Sequence, residues 1–533
     1  MLSLLNFILA LLPIIFLIIV LSFLKMPGFK ACPVALVIAV LEAIIIWKQN
    51  VLDVFTAFLE GMVMAIWPIC LVIIAAIFVY NLVVHTKYME VIKQMLASVS
   101  RDKRILVLII SWGFGAFMEG MAGFGTAVAI PAGILVALGF EPLFAAVVCL
   151  VANTTPVAFG SIGIPAVTAI NITGLDPVTT AASIVVQLTI MNILVPFFLV
   201  AMVGKHSGKS FSESFKGVGI ITLLSGLSFL IPQYLTARLI GPELPSVLGS
   251  VICMAVTIVA TRKFGKAETD FDIPVSESHT ESISSNKAFV ACSPFILVLL
   301  FLVITSSIFP FIRGPLASVK SSVMIYTGKG ATPYTFSWLV TPGVLIILAG
   351  ILGGLIQKCP FAEIMTVLKK SIIQMVKTVI TIISVIATAK IMGYSGMTQE
   401  IADFMVKVTG NMYPLISPLI GAIGTFVTGS STSSSVLFAK LQASTAESLK
   451  MDQVWLVAAN TLGSTAGKIV SPQSIAVATA AANIVGEESK ILNSVVKYFV
   501  IFIVIYGLVV FLGQSVFVGS IFVWFYFNKL HLI

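Results

Sequence analysis

Ten stretches of this chain are almost continuously apolar: 3–23, 31–47, 62–84, 180–203, 215–235, 244–261, 289–312, 337–357, 373–394 and 494–512. Each is close to the roughly 20 residues a helix needs to cross the hydrocarbon core of a bilayer. Charge points the same way. Lys and Arg number 31 and Asp and Glu 22 in 533 residues, or 10% charged, where a soluble domain carries roughly 25%. So few charges cannot cover a water-facing surface, and the same figures exclude disorder, a collagen-like chain and a disulfide scaffold. The fold class expected is an all-α polytopic membrane protein. Its first run lacks a leading basic cluster and a small-residue cleavage site, so it reads as a retained helix, not a removed signal.

The net charge of +9 does not point to nucleic acid. The basic residues are scattered through short loops, as cations that set membrane topology are. Cys32, Cys70, Cys149, Cys253, Cys292 and Cys359 are dispersed, with no CxxC pair. The four histidines, His85, His206, His279 and His531, lie near loops or termini. No metal, cofactor or His-based triad is expected within the membrane. Gly123-Phe124-Gly125-Thr126 follows no strand and precedes no Gly-Lys-Ser/Thr, so no nucleotide is assigned to it.

Two regions, 105–175 and 412–488, are apolar enough for membrane depth yet broken by Gly, Pro, Ser, Thr and Asn. Irregular backbone at that depth survives only where it is buried in protein or lines a wet cavity. Such interruptions in corresponding positions of two halves mark a transport site. The correspondence is visible in spacing. Ala152-Asn153-Thr154, Gly160 and Pro165 recur as Ala459-Asn460-Thr461, Gly467 and Pro472, offset by 307 residues. Gly115 to Gly120 recurs as Gly424 to Gly429, offset by 309.

Loop charges give the orientation of the halves. The 85–104 loop holds Lys87, Lys93, Arg101, Lys103 and Arg104, and its counterpart 395–413 holds Lys407 alone. The 48–61 loop holds Lys48, against Lys358, Lys369 and Lys370 in 358–370. The 204–217 loop holds Lys205, Lys209 and Lys216, and 513–527 holds none. The bias reverses at each pair, as an inverted repeat requires. The expected plan is a first repeat over 1–240, a connecting span and cytoplasmic linker over 241–288, and a second repeat over 289–533. It has about 12–14 crossings, each repeat carrying broken or re-entrant helices, with the 515–528 run left open.

An ionisable group at membrane depth costs about 2.5–3.5 kcal/mol on insertion scales, so each one retained is a functional candidate. Glu119, in the first broken region, suits a reversible proton carrier; it also reads as a helix-end carboxylate facing water. Lys468, within Gly467-Lys468-Ile469-Val470-Ser471-Pro472-Gln473-Ser474, is placed to neutralise a substrate carboxylate, or to snorkel to an interface. Lys390, near the end of 373–394, is a weaker coupling candidate for which snorkelling is the favoured reading. Ser430 to Ser435 follows Thr428-Gly429 as six hydroxyl residues in a row. They could begin a half-helix whose free amides hold an anion, or form a solvated loop. Asn153 and Asn460, equivalent in the repeat, are placed to bond substrate or opposing backbone.

At these residues the chain resembles the bacterial L-lactate permease family. The resemblance is carried by GAFMEGMAGFGTAVAIPAGILVALGFEPLFAAVVCLVANTTPVAFGSIGIP (115–165), VTGSSTSSSVLFAKLQ (427–442) and AANTLGSTAGKIVSPQSIAVATAA (458–481), and it covers nearly the whole length. It implies transport of lactate, and often glycolate, across the plasma membrane by proton symport. Carried onto matching positions, it implies a substrate site of Gly123, Gly125, Thr126, Asn153, Thr154, Ser430, Ser431, Thr432, Ser433, Asn460, Lys468 and Gln473. Glu119 and Lys390 are the candidates for proton coupling, with the proton as the only coupling ion and no cofactor. Ser431, Ser433 and Ser435 stand where many relatives have Asn or Asp. The resulting expectation is a multi-pass carrier of the bacterial plasma membrane, not an enzyme, whose partners are L-lactate or a similar small carboxylate and membrane lipid. A sodium-coupled or exchange carrier is the alternative; a channel and an intramembrane enzyme are less consistent with the repeat and the missing triad.

Overall fold

The computed structural model describes residues 2–20, 24, 26–123, 125–265, 270–273, 284–306, 308–484 and 486–529. Among these the chain is almost wholly helical. The order begins with α1 (Leu2–Ile18), α2 (Gly28–Ile45), α3 (Val51–Met64), α4 (Leu71–His85) and the amphipathic α5 (Tyr88–Ala97). There follow α6 (Lys103–Val107), α7 (Gly115–Met121), α8 (Thr126–Ala137), α9 (Pro142–Ala152), α10 (Gly160–Thr173) and α11 (Pro177–His206). Then come α12 (Phe211–Phe215), α13 (Gly219–Leu239), α14 (Pro245–Phe264), α15 (Ser285–Ile304) and α16 (Pro310–Ala317). A two-stranded antiparallel ribbon of β1 (Lys320–Val323) and β2 (Tyr334–Ser337) precedes α17 (Pro342–Ile356). The chain closes with α18 (Phe361–Ser395), α19 (Met397–Thr409), α20 (Tyr413–Thr428), α21 (Ser431–Ser448), α22 (Gln453–Val470), α23 (Pro472–Ala481) and α24 (Glu488–Lys529). Ten helices among the described residues are long and apolar enough to cross a membrane.

The same sequence of parts occurs twice. A 35-residue span (Val51–His85, Phe361–Ser395) leads into an amphipathic helix (α5, α19). Next come a helical hairpin (α6–α7 with α8, α20 with α21), a helix interrupted midway (α9 with α10, α22 with α23) and another long span (α11, α24). The packing is reciprocal across the repeat: α8 lies against α23, and α10 lies against α21. Each contact maps onto the other when the repeats are exchanged. That reciprocity is what a pseudo-two-fold produces, and it brings both hairpin tips and both interruptions to one place.

Local sequence explains where these elements start and stop. Asn50, Asp102, Asp176, Ser430 and Asp452 each cap a helix by accepting from a backbone amide of its first turn, the usual use of short polar side chains there. Pro142, Pro177 and Pro472 open α9, α11 and α23, where a missing N–H costs nothing. In the first long span, Trp67 leaves helical geometry just before Pro68, dividing α3 from α4. Close backbone packing joins α20 to α22: a Cβ on Gly467 would lie 2.2 Å from the Ala422 carbonyl oxygen. This small residue lets the two helices touch.

Several boundaries differ from the sequence reading. The segments 48–61 and 358–370 are mostly helix, since α3 begins at Val51 and α18 at Phe361. Their charged residues lower the local hydropathy; Glu60 is buried, whereas Lys48, Lys358, Glu363, Lys369 and Lys370 stay exposed. The run 289–312 ends as a span at Ile304, and 337–357 begins at Pro342 after the ribbon. The run 515–528 continues α24. Of the linker 262–288, residues 266–269 and 274–283 lie outside the described residues, and the rest is anchored. Asp272 bridges to Asp102, and the Arg104 guanidinium stacks 3.9 Å over Phe271. Arg104, counted as a loop cation, is 1% exposed. It binds both Asp102 carboxylate oxygens and the carbonyls of Ser214 and Lys216.

Candidate functional site

The second hairpin turns at Gly429, whose left-handed backbone (φ 72°) lets α20 end and Ser430 begin the next helix. The Ser430 hydroxyl accepts from the Ser433 amide at 3.2 Å. The amides of Ser431 and Thr432, in the first turn of α21, remain available at the positive end of the helix dipole. Beside this tip, α22 stops at Ser471 and restarts as α23 at Pro472. Lys468, just before that interruption, donates to the Gly429 carbonyl at 2.7 Å. An ammonium has three donors, so two remain for a ligand.

The first repeat builds a matching arrangement with different chemistry. Its hairpin turns at Gly123 and Gly125 (φ 60° and 89°), and α10 begins with Ser161, Ile162 and Gly163 in left-handed geometry. Ser161 donates to the Ala122 carbonyl at 2.9 Å. Ser161 and Lys468 are equivalent at the 307-residue offset, and each ties an interruption to its own hairpin tip. The second repeat thus carries a cation where the first carries a hydroxyl. The acid comes from the first repeat: Glu119, 5% exposed, accepts from the Asn153 amide at 3.1 Å.

These pieces line one cavity of about 410 Å³, within the roughly 300–1,000 Å³ of small-molecule pockets. Gly125, Gly160, Ser161 and Glu119 face it from the first repeat. Thr428 to Ser433, Lys468, Pro472, Gln473 and Ser474 face it from the second. The Ser474 hydroxyl has no protein hydrogen-bond partner among the described residues. The rest of the wall includes Gly28 and Phe29 of α2, Lys377, Thr378 and Thr381 of α18, and apolar residues such as Ile73, Val157, Phe426 and Val477. The lining therefore combines one carboxylate, two ammonium groups, two helix starts and several hydroxyls, which suits a small anion.

Of the residues singled out in the sequence, Glu119, Gly125, Ser430, Ser431, Thr432, Ser433, Lys468 and Gln473 come together here. Phe124 lies outside the described residues. Gly123 and Thr126 shape the first tip, Thr126 donating to the Gly123 carbonyl at 2.8 Å. Asn153 stands behind the cavity and orients Glu119, while the Thr154 hydroxyl bonds the Val151 carbonyl at 2.6 Å. Asn460 is fully buried inside α22, away from the cavity lining. Lys390 is elsewhere: it donates to Glu60 at 2.6 Å, and Tyr394 donates to the same carboxylate at 2.9 Å.

The sequence reading did not single out Lys377 or Glu60, and it named Gly160 only as a repeat position. Lys377 reads as a span-end lysine while the helix is taken to start at 373. With α18 running from Phe361 it lies in mid-helix, its ammonium 5.2 Å from the Phe29 ring. Gly160 is a packing requirement, since a Cβ there would lie 2.5 Å from the Glu119 Oε1. Glu60 is hidden in a stretch scored as loop.

Paired hairpins, paired interrupted helices and a polar cavity between them define a polytopic membrane carrier. The family model described as L-lactate permease matches residues 6–517, and the chain belongs to that family. It is 47% identical over 453 residues to an L-lactate permease of Streptococcus iniae, covering 85% of this chain and 93% of that one. It is 35% identical over 545 residues to the glycolate permease GlcA of Escherichia coli, covering 96% of both. The solved structure of Neisseria gonorrhoeae MtrF, described as illuminating a class of antimetabolite efflux pumps, has the same fold. Its TM-score is 0.51 at 14% identity, over 94% of this chain and 97% of that one. A permease of this family with ten candidate spans is a multi-pass protein of the bacterial plasma membrane and a transporter, not an enzyme.

Proposed function

We propose that this chain moves L-lactate, and with it glycolate and related small 2-hydroxymonocarboxylates, into or out of the cell by proton symport with alternating access. The observation that carries the reading is the meeting of Glu119 and Lys468 in one cavity between the repeats. The substrate carboxylate takes the two free Lys468 donors and the amides that begin α21, and the hydroxyls of Ser431 to Ser433 and Ser474 meet the 2-hydroxyl group. Glu119 takes the proton. Lys377 adds the same positive charge to the cavity in every state, so the Glu119–Lys468 pair decides the balance. The empty pair is neutral, with one carboxylate and one ammonium. An anion alone would make it negative, and carrying net charge through the bilayer is expensive. One proton on Glu119 restores neutrality, so substrate and proton cross together. Alternating access follows from one repeat unit moving against the remaining helices.

Reconstituted protein tests this with labelled L-lactate. Imposed pH and sodium gradients are applied separately. Accumulation should follow the pH gradient, collapse with a protonophore and ignore sodium. Uptake that follows sodium and not pH would replace the reading with a sodium-coupled carrier.

A further inference from the structure

His85, Cys359 and Glu363 sit together outside the cavity lining, and the transport reading does not use them. His85 closes α4, Cys359 lies in the turn after α17, and Glu363 is in the first turn of α18. The three ligand atoms all lie within 4.8 Å of one another. His85 Nε2 is 3.0 Å and Cys359 Sγ is 4.0 Å from Glu363 Oε2. A tetrahedral zinc with bonds of about 2.0–2.3 Å sets its ligand atoms about 3.3–3.7 Å apart. The observed separations bracket that range.

The surroundings hold the two turns in place. Thr86, next to His85, donates to the Gln357 side chain at 2.7 Å. Gln357, two residues before Cys359, donates in turn to the carbonyls of Val290 and Ala291 at 3.2 Å. A site whose supports are fixed in this way costs little ordering on binding. The His85 and Glu363 side chains are 44% and 55% exposed, which leaves a fourth position open to water. In a chain with four histidines and six cysteines, this is the one such group of three among the described residues.

We propose that His85, Cys359 and Glu363 form a three-ligand site for a zinc-class divalent cation, joining the long span of one repeat to that of the other. Histidine nitrogen, thiolate and carboxylate together suit zinc and cobalt and disfavour calcium and magnesium. On binding, the Cys359 thiol releases its proton to solvent and the His85–Glu363 contact is replaced by two metal bonds. The site is built from the basic segments 85–104 and 358–370, whose charge places it on the cytoplasmic side, where a thiol stays reduced.

Purified full-length protein, titrated with Zn²⁺ against a chromophoric chelator and separately with Co²⁺, tests this without recourse to transport. One metal per chain should bind, and Co²⁺ should show a thiolate charge-transfer band and tetrahedral visible bands. His85→Ala, Cys359→Ser and Glu363→Gln should each weaken binding by about tenfold or more, and Cys359→Ser should remove the thiolate band. Zn²⁺ should raise the unfolding temperature of the wild type and, at the same concentration, raise that of Cys359→Ser by less. Equal metal binding by the wild type and the triple variant, or a Co²⁺ complex without thiolate character, would reduce the group to a His85–Glu363 ion pair and overturn the proposal.

Discussion

At the scale of single residues, the account separates three charges that share one cavity. Glu119→Gln keeps the shape of the side chain and its contact with Asn153 but cannot cycle a proton. It should abolish pH-driven accumulation while sparing some lactate counterflow, and a variant with full symport would remove Glu119 as the carrier. Lys468→Ala removes a charge-assisted bond of about 1.5–3 kcal/mol, or about 10–150-fold in apparent affinity. An unchanged KM would end its role as the anion partner. Lys377 lies on the opposite wall, is more exposed and has no carboxylate partner among the described ion pairs. Lys377→Gln should therefore cost less, about two- to fivefold in KM, with kcat retained. The first two of these charges were legible from sequence because lipid does not tolerate idle charge in an interrupted segment. Lys377 was not, because whether a lysine is at the end or the middle of a helix depends on a boundary that hydropathy sets poorly.

At the scale of elements, the interrupted helices and hairpins form a scaffold in which small residues admit functional groups. Gly160 leaves room for the Glu119 carboxylate, so Gly160→Ala, whose Cβ would lie 2.5 Å from Oε1, should impair transport as Glu119→Gln does while the protein still folds. Loss of folding without any selective transport defect would show that Gly160 serves packing alone. A different contact anchors α6 to the linker. Arg104 and Asp102 are 2% and 4% exposed in their side chains, and breaking such a buried pair costs about 3–5 kcal/mol. Arg104→Leu should lower the unfolding temperature markedly with little effect on lactate affinity in the protein that folds. The half-helix at Ser430 was readable from its hydroxyl run because serine is a strong N-cap. The burial of Arg104 was not, since apart from Asp102 its partners are Ser214, Lys216 and Phe271, far away in the chain.

At the scale of the whole molecule, two repeats with the same parts share one site, and they do not contribute equally to it. The 307-residue offset already paired Asn153 with Asn460 and Gly160 with Gly467 in the sequence, and the packing of α8 on α23 and α10 on α21 gives that offset a physical meaning. What spacing could not supply was the division of labour. Ser161 and Lys468 hold equivalent posts, yet only the second brings charge, and the balancing carboxylate arrives from α7 of the other half. Asn153 and Asn460, alike in sequence, also part company: one orients Glu119 and the other is buried within α22. Sequence symmetry locates a site, while its chemistry depends on where symmetry fails.

That asymmetry sets the central claim, a loaded Glu119–Lys468 pair kept neutral by one proton for each lactate. The most direct test is lactate uptake into proteoliposomes in which pH gradient and membrane potential are set independently, the potential by a potassium gradient with valinomycin. The account requires uptake to follow the pH gradient with one proton per lactate and to ignore the potential. Accumulation driven by potential alone, with no pH gradient, would mean that net charge crosses with the substrate and would contradict it.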